Sequence, residues 1–229
     1  MFQQTAPLDV SVTAVLLIVA AAVVLCIPRV IWSYFGVYIT LVHELGHAFA
    51  ALLTGRVLAG IRVHRNQSGT THSSGRGGFS GVFSGFFGYP APAMVGAALV
   101  WSVFQGYTAA ALAVGGVILV LTLVFIRNLF GVLVVLVSAA VSVLLWVYAP
   151  PEVQGYALLV LGTALIVGAV RAYLNVVSVH VSRRGELRSS DAYLLYQRSH
   201  IPSPIWLLLF AAVIALSIFV AFSAYVSTL

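Results

Sequence analysis

Apolar runs fill the chain, and short polar breaks cut it into seven stretches. Val10 to Ile27 is the first, closed by a tight turn at Pro28-Arg29. The second runs from Val30 to Leu53 and stops at Thr54-Gly55. Pro90-Ala91-Pro92 leads into a small-residue helix, Ala93 to Phe104, as the third. Thr108 to Ile126 is the fourth, and Arg127-Asn128 parts it from the fifth, Leu129 to Ala149. Beyond the loop Pro150-Pro151-Glu152 lies the sixth, Gln154 to Leu174. Pro202-Ser203-Pro204 opens the seventh, Ile205 to Tyr225. A helix needs about 20 apolar residues to cross a bilayer core, and most of these runs approach that length. The predicted fold is an all-α polytopic membrane protein of about seven transmembrane helices, with no internal repeat.

The polar breaks carry their own pattern. Arg56 to Gly78 is the longest after the second run. Val57 to Val63 reads as a short strand, and Asn66 to Thr71 as a turn entering a second strand. A small β-hairpin is expected there, with a flexible loop as the alternative. Phe79 to Tyr89 then alternates aromatic residues with Gly and Ser before the Pro-rich start of the third run. Glycine and proline at membrane depth suit backbone that is buried in protein or lines a cavity, so a kinked or re-entrant segment is expected. A second polar segment runs from Asn175 to His200.

Composition agrees with a membrane protein. Of 229 residues, 62% are hydrophobic and 7% charged, with a mean hydropathy of +1.09. A soluble domain carries about 25% charged residues. The length fits one membrane-embedded domain, 1–229. The single cysteine, Cys26, lies in an apolar run and excludes a disulfide framework. The net charge of +6 comes from eleven arginines with no lysine. Because they flank apolar runs, they speak for membrane topology and against nucleic acid as a partner. This Ala/Val/Gly/Arg-rich usage is of the kind that GC-rich bacterial coding produces. The N-terminus, Met1-Phe2-Gln3-Gln4, has no positive region, so the first run is read as a retained span.

Within the second run stands His43-Glu44-Leu45-Gly46-His47, the pattern H-E-x-x-H. On a helix, positions i and i+4 lie about 40° apart, so two imidazoles can share one metal. Glu44 lies about 100° round from His43, placed to reach a water on that metal as general base. Three ionisable residues in five, inside a run with no other charge, mark a functional site, because such groups are costly in a membrane. Zinc is the expected cofactor.

With a cytoplasmic N-terminus and seven spans, all the arginines but Arg29, Arg76 among them, fall on or beside cytoplasmic loops. The active site would then lie near the cytoplasmic face. Catalytic zinc usually keeps three protein ligands and one open position. Of the acids, Asp9 is in a terminal tail, Glu152 is on the far side, and Glu186 sits among arginines. Asp191 is therefore the expected third ligand; a first-turn helix acid is the alternative role for it. His180 and His200 are the other nitrogen candidates. His64 and His72 read as solvated loop histidines.

Thr40-Leu41-Val42-His43-Glu44-Leu45-Gly46-His47-Ala48 in a span resembles the site-2 protease family of intramembrane zinc metalloproteases, and is most similar to its compact bacterial branch. The resemblance covers about residues 30–210. It implies a hairpin after the motif helix, matched by Arg56 to Gly78, and a Gly/Pro-bearing entry to a core helix, matched by Gly88-Tyr89-Pro90-Ala91-Pro92-Ala93. The family's third ligand is an aspartate in an N-P-D-G or L-D-G motif. This chain has no Asp-Gly dipeptide. Ser190-Asp191-Ala192, followed by Ile201-Pro202 and Trp206, resembles the variant ending of the compact branch.

The resemblance implies zinc on His43, His47 and Asp191, with Glu44 moving the proton from water to the leaving amine. The substrate would be a transmembrane protein segment, held as an added strand by the hairpin or near Gly88 and Pro90. Asn175 and Asn128 are candidate oxyanion donors. Besides the lipid bilayer, a separate regulatory membrane protein is an expected partner. A non-catalytic membrane protein with a vestigial or structural zinc site is the rival reading; a zinc transporter would need more ionisable residues across the membrane.

Overall fold

The computed structural model describes residues 8–75 and 77–227. Met1-Phe2-Gln3-Gln4 and Arg76, both used in the sequence reading, lie outside the described residues. The chain is mainly helical: α1 Val12–Cys26, α2 Arg29–Leu53, α3 Phe79–Phe86, α4 Ala91–Phe104, α5 Thr108–Thr122, α6 Leu129–Tyr148, α7 Pro151–Val181, α8 Asp191–Ser199 and α9 Ser203–Val226. The expected hairpin is present, as strand β1 Val57–Val63 antiparallel to β2 Gly69–Ser74.

By length and composition α2, α6, α7 and α9 can cross a membrane, and the pair α3–α4, bent by 61°, makes a broken fifth candidate. Helices α1 and α5 are apolar, but each is 15 residues long. The structure thus has four to five candidate spans among the described residues where the hydrophobic pattern suggested seven.

Two boundaries moved for visible reasons. The run Thr108 to Ile126 stops being helical at Thr122, because residues 125–127 turn to pair with β1. Ile61 N–H donates to the Phe125 carbonyl (2.8 Å), and Arg127 N–H donates to the Ile61 carbonyl (2.9 Å). Helix α7 runs past Leu174 to Val181, so Asn175 to Val181 is helix and not loop. Val176 and Val179 are buried there, which gives that turn an apolar face to pack.

Five helices, α1, α4, α5, α6 and α9, are gathered around α7. Leu8 lies against Gly155 and Cys26 Sγ against the Ala164 carbonyl (3.3 Å), so α1 runs in the same direction as α7. Gly96 meets Gly162 and Val103 meets Gly155, so α4 runs oppositely. The Tyr225 hydroxyl reaches Thr163 Oγ1 (2.9 Å), and Ile214 packs with Ala169, so α9 also opposes α7. Ser142 on α6 donates to the Leu112 carbonyl of α5 (3.0 Å), which ties those two helices together. Strictly alternating spans one and six would be antiparallel. The parallel α1 and α7 do not fit that scheme.

Helix α2 lies across one end of the bundle like a roof, beside the starts of α4 and α6. Trp32 stacks on Arg171 of α7 (4.4 Å), and Ile39 lies against Gly168. Seven residues of α2 thus pass only three of α7, so the two helices cross. Farther along, Val37, Leu41 and Ala48 pack on β1, on Ile126 and on Val134 and Val135 near the start of α6. The hairpin lies along α2, with Thr40 Oγ1 donating to the Gln67 carbonyl at its tip (2.9 Å). Helix α2 ends in a Schellman turn: Arg56 N–H donates to the Ala51 carbonyl (2.9 Å) and Gly55 N–H to that of Leu52 (3.0 Å). Gly55 takes the required left-handed backbone, with φ of 71°.

Candidate metal centre

The roof helix brings His43 and His47 to one face, and the first residue of α8 meets them. His43 Nε2 lies 3.1 Å from His47 Nε2 and 3.1 Å from Asp191 Oδ2, and His47 Nε2 lies 3.2 Å from the same oxygen. Among the described residues these three alone form a group of metal-ligand type.

Their protonation tests whether a metal fits. His47 Nδ1 is 2.7 Å from the Ser84 carbonyl. A carbonyl only accepts, so Nδ1 carries a proton, and Nε2 is the nitrogen that faces the centre. Burial alone would raise the Asp191 carboxyl, but the two imidazoles, His47 foremost, hold it well below the usual carboxylate range. Asp191 therefore stays ionised, and its buried Oδ2 accepts no well-aligned hydrogen bond. One cation serves all three lone pairs. Ligand atoms about 2.0–2.1 Å from a tetrahedral zinc lie about 3.3–3.4 Å apart, close to the separations found here. The donor set fits a zinc ion.

Glu44 is buried (4% exposed). Its Oε2 lies 2.6 Å from Thr71 Oγ1 on β2, which can donate to it. Its other oxygen lies against Gly69, where a Cβ would overlap the carboxylate. The hairpin thus aims the acid through Thr71 and Gly69. On the far side, a Cβ at Gly88 would overlap both imidazoles. The break between α3 and α4 passes so close to the ligands that only glycine fits.

Helix α3 is bolted to α2 by two bonds, since Ser84 Oγ also donates to the His47 carbonyl (2.9 Å). It is tied to α8 as well: Arg198 donates to the Gly81 carbonyl (3.1 Å). Tyr89 stands edge-on to His43, with ring centres 4.8 Å apart, and stacks on Phe210 (5.4 Å).

The other sequence candidates fall elsewhere. Pro90 is fully buried at the start of α4 and offers no surface to a substrate. Asn128 is a clamp on the hairpin: its amide accepts from Val63 N–H (3.1 Å) and donates to the Val63 carbonyl (2.7 Å). Asn175 is exposed and accepts from Arg183 (2.5 Å). His180 bonds Ser190 Oγ (2.7 Å), and His200 caps α8 with a left-handed backbone, φ 60°. His64 and His72 are exposed on the hairpin. Ser84, Thr71 and Gly69 were not singled out by the sequence. Ser84 is one small residue among several in an aromatic stretch, and nothing local marks it.

No curated protein and no solved structure matches the chain. The sequence model of the family described as peptidase M50B-like matches residues 15–221. With its H-E-x-x-H helix, hairpin and converging aspartate, the chain belongs to that family, the site-2 proteases.

Proposed function

We propose that the protein is an intramembrane zinc endopeptidase that hydrolyses a peptide bond in a membrane-spanning substrate. The convergence of His43 Nε2, His47 Nε2 and Asp191 Oδ2 beside a buried general base carries this reading. A zinc ion bound there supplies a polarised water and a Lewis acid for the scissile carbonyl. Glu44 takes the proton from water at its carboxylate and returns it to the leaving amine. Thr71 holds Glu44 Oε2 in a fixed direction, with Oε1 set against Gly69.

The hairpin favours a strand-like substrate. The outer edge of β1 is taken by residues 125–127 and Asn128. Among the described residues no backbone group pairs with the outer edge of β2. An unwound substrate segment added to β2 lies beside Thr71 and Glu44.

Six crossings best account for the helix directions: α1, α4, α5, α6, α7 and α9, each opposite to the one before. Every described arginine then lies on the side of the α2 roof: Arg29 on α2 itself, the hairpin arginines, Arg127, Arg171, and those after α7. Asp9 and Glu152 lie at the other end. The positive-inside rule assigns the roof, with the centre, to the cytoplasmic side, and the N-terminus to the opposite one. That reverses the N-terminal orientation expected from seven spans and keeps the cytoplasmic site.

Two measurements test the reading. Purified protein should hold about one zinc per chain, and Asp191→Ala should lose it. Glu44→Gln should keep the zinc and lose cleavage of a transmembrane substrate by about 10²-fold or more. Full zinc in Asp191→Ala, or full cleavage by Glu44→Gln, would sink it.

A further inference from the structure

One partly buried polar pair next to the centre has no part in ligation. His180, in the last turn of α7, bonds Ser190 Oγ at 2.7 Å. Ser190 is 6% exposed and stands at the N-cap of α8, immediately before Asp191. An N-cap serine ordinarily turns its oxygen to an amide of its own helix. Here the hydroxyl makes no such bond and is given to His180 instead. The local capping bond is forgone for a tie between two elements.

The tie falls where Asp191 needs one. A short 3-10 turn, Arg184–Ser189, is all that joins α7 to α8, and no residue in it is buried. The apolar contacts of α8 begin at Ala192 and continue at Leu195, packed with Val176, and Arg198 anchors its far end. Asp191 Oδ2 itself accepts no aligned hydrogen bond that would hold it toward the imidazoles. From this we infer that His180 is a positioning residue for the third metal ligand: through Ser190 it fixes the start of α8 so that Asp191 meets His43 and His47. This rests on the metal-centre reading. Partners that orient a ligand in this way typically change metal affinity by about 10–100-fold.

The test uses the full-length protein in detergent, stripped of metal and titrated with Co²⁺, whose visible absorption reports tetrahedral coordination. His180→Ala should bind Co²⁺ about 10–100-fold more weakly, with a visible spectrum moved toward that of Asp191→Asn. His180→Gln, which can still bond the serine hydroxyl, should recover most of the affinity. Ser190→Ala should reproduce the loss, and the double variant should be no worse than either single one. Wild-type affinity and spectrum in His180→Ala would overturn the tie. Should His180→Ala fail to fold, Ser190→Ala decides alone, since it removes one oxygen. A wild type that takes up no Co²⁺ overturns the metal-centre reading itself, and the tie with it; loss confined to the variants cannot be confused with that result.

Discussion

Gly88 sets the tightest condition on the site. A methyl group there would overlap both imidazoles, and neither can retreat freely, because His47 is held by Ser84 and His43 by the Tyr89 ring. Gly88→Ala should therefore weaken zinc binding by about 10-fold or more while helical circular dichroism stays unchanged; equal zinc affinity would mean the backbone yields there. At this scale the metal ligands were legible and their supports were not. His43, Glu44 and His47 announce themselves because helix periodicity alone turns their spacing into geometry. Asp191 could be reached by excluding four other acids. Ser84 and Thr71 belong to the same site, yet each touches it through a contact about thirty residues distant along the chain. Spacing holds no trace of that.

The hairpin shows how one element depends on a single side chain from another. Asn128 closes the last residue of β1 with two hydrogen bonds, and residues 125–127 extend the cover. A hydrogen bond contributes about 1 kcal/mol net, and more is lost when its partner stays unpaired. Asn128→Ala should lower stability by about 1–3 kcal/mol, read as a drop in thermal midpoint in detergent, with zinc stoichiometry preserved. An unchanged midpoint would remove the clamp. The strand and turn residues of the hairpin allowed it but left a flexible loop equally open. Its cover was not legible, since the fourth apolar run reads as one helix through Ile126. The last residues of that run exchange helix for strand pairing because β1 offers them a free edge. The kink between α3 and α4 was readable for the opposite reason: Gly88 and Pro90 break a helix locally, whatever surrounds them.

On the scale of the whole molecule, the α2 roof changes what the hydrophobic pattern means. Its apolar composition matches a span, but its contacts run across α7 and over the ends of α5 and α6. Hydropathy counts apolar residues and is blind to their direction, so a roof and a crossing look alike. The two cases differ in where the N-terminus lies. In a Cys26→Ala background, which removes the single native thiol, Asp9→Cys should react with a membrane-impermeant maleimide added outside intact cells, and Arg184→Cys should not. Labelling of Asp9→Cys only after permeabilisation would restore the alternating scheme. The covered edge of β1 has a consequence at this scale too. Another copy of the chain could extend the sheet only through β2, along the row of amides that an incoming substrate would use. Self-association by strand pairing and engagement of a substrate would then be in competition, and crowding the enzyme in the bilayer would slow it.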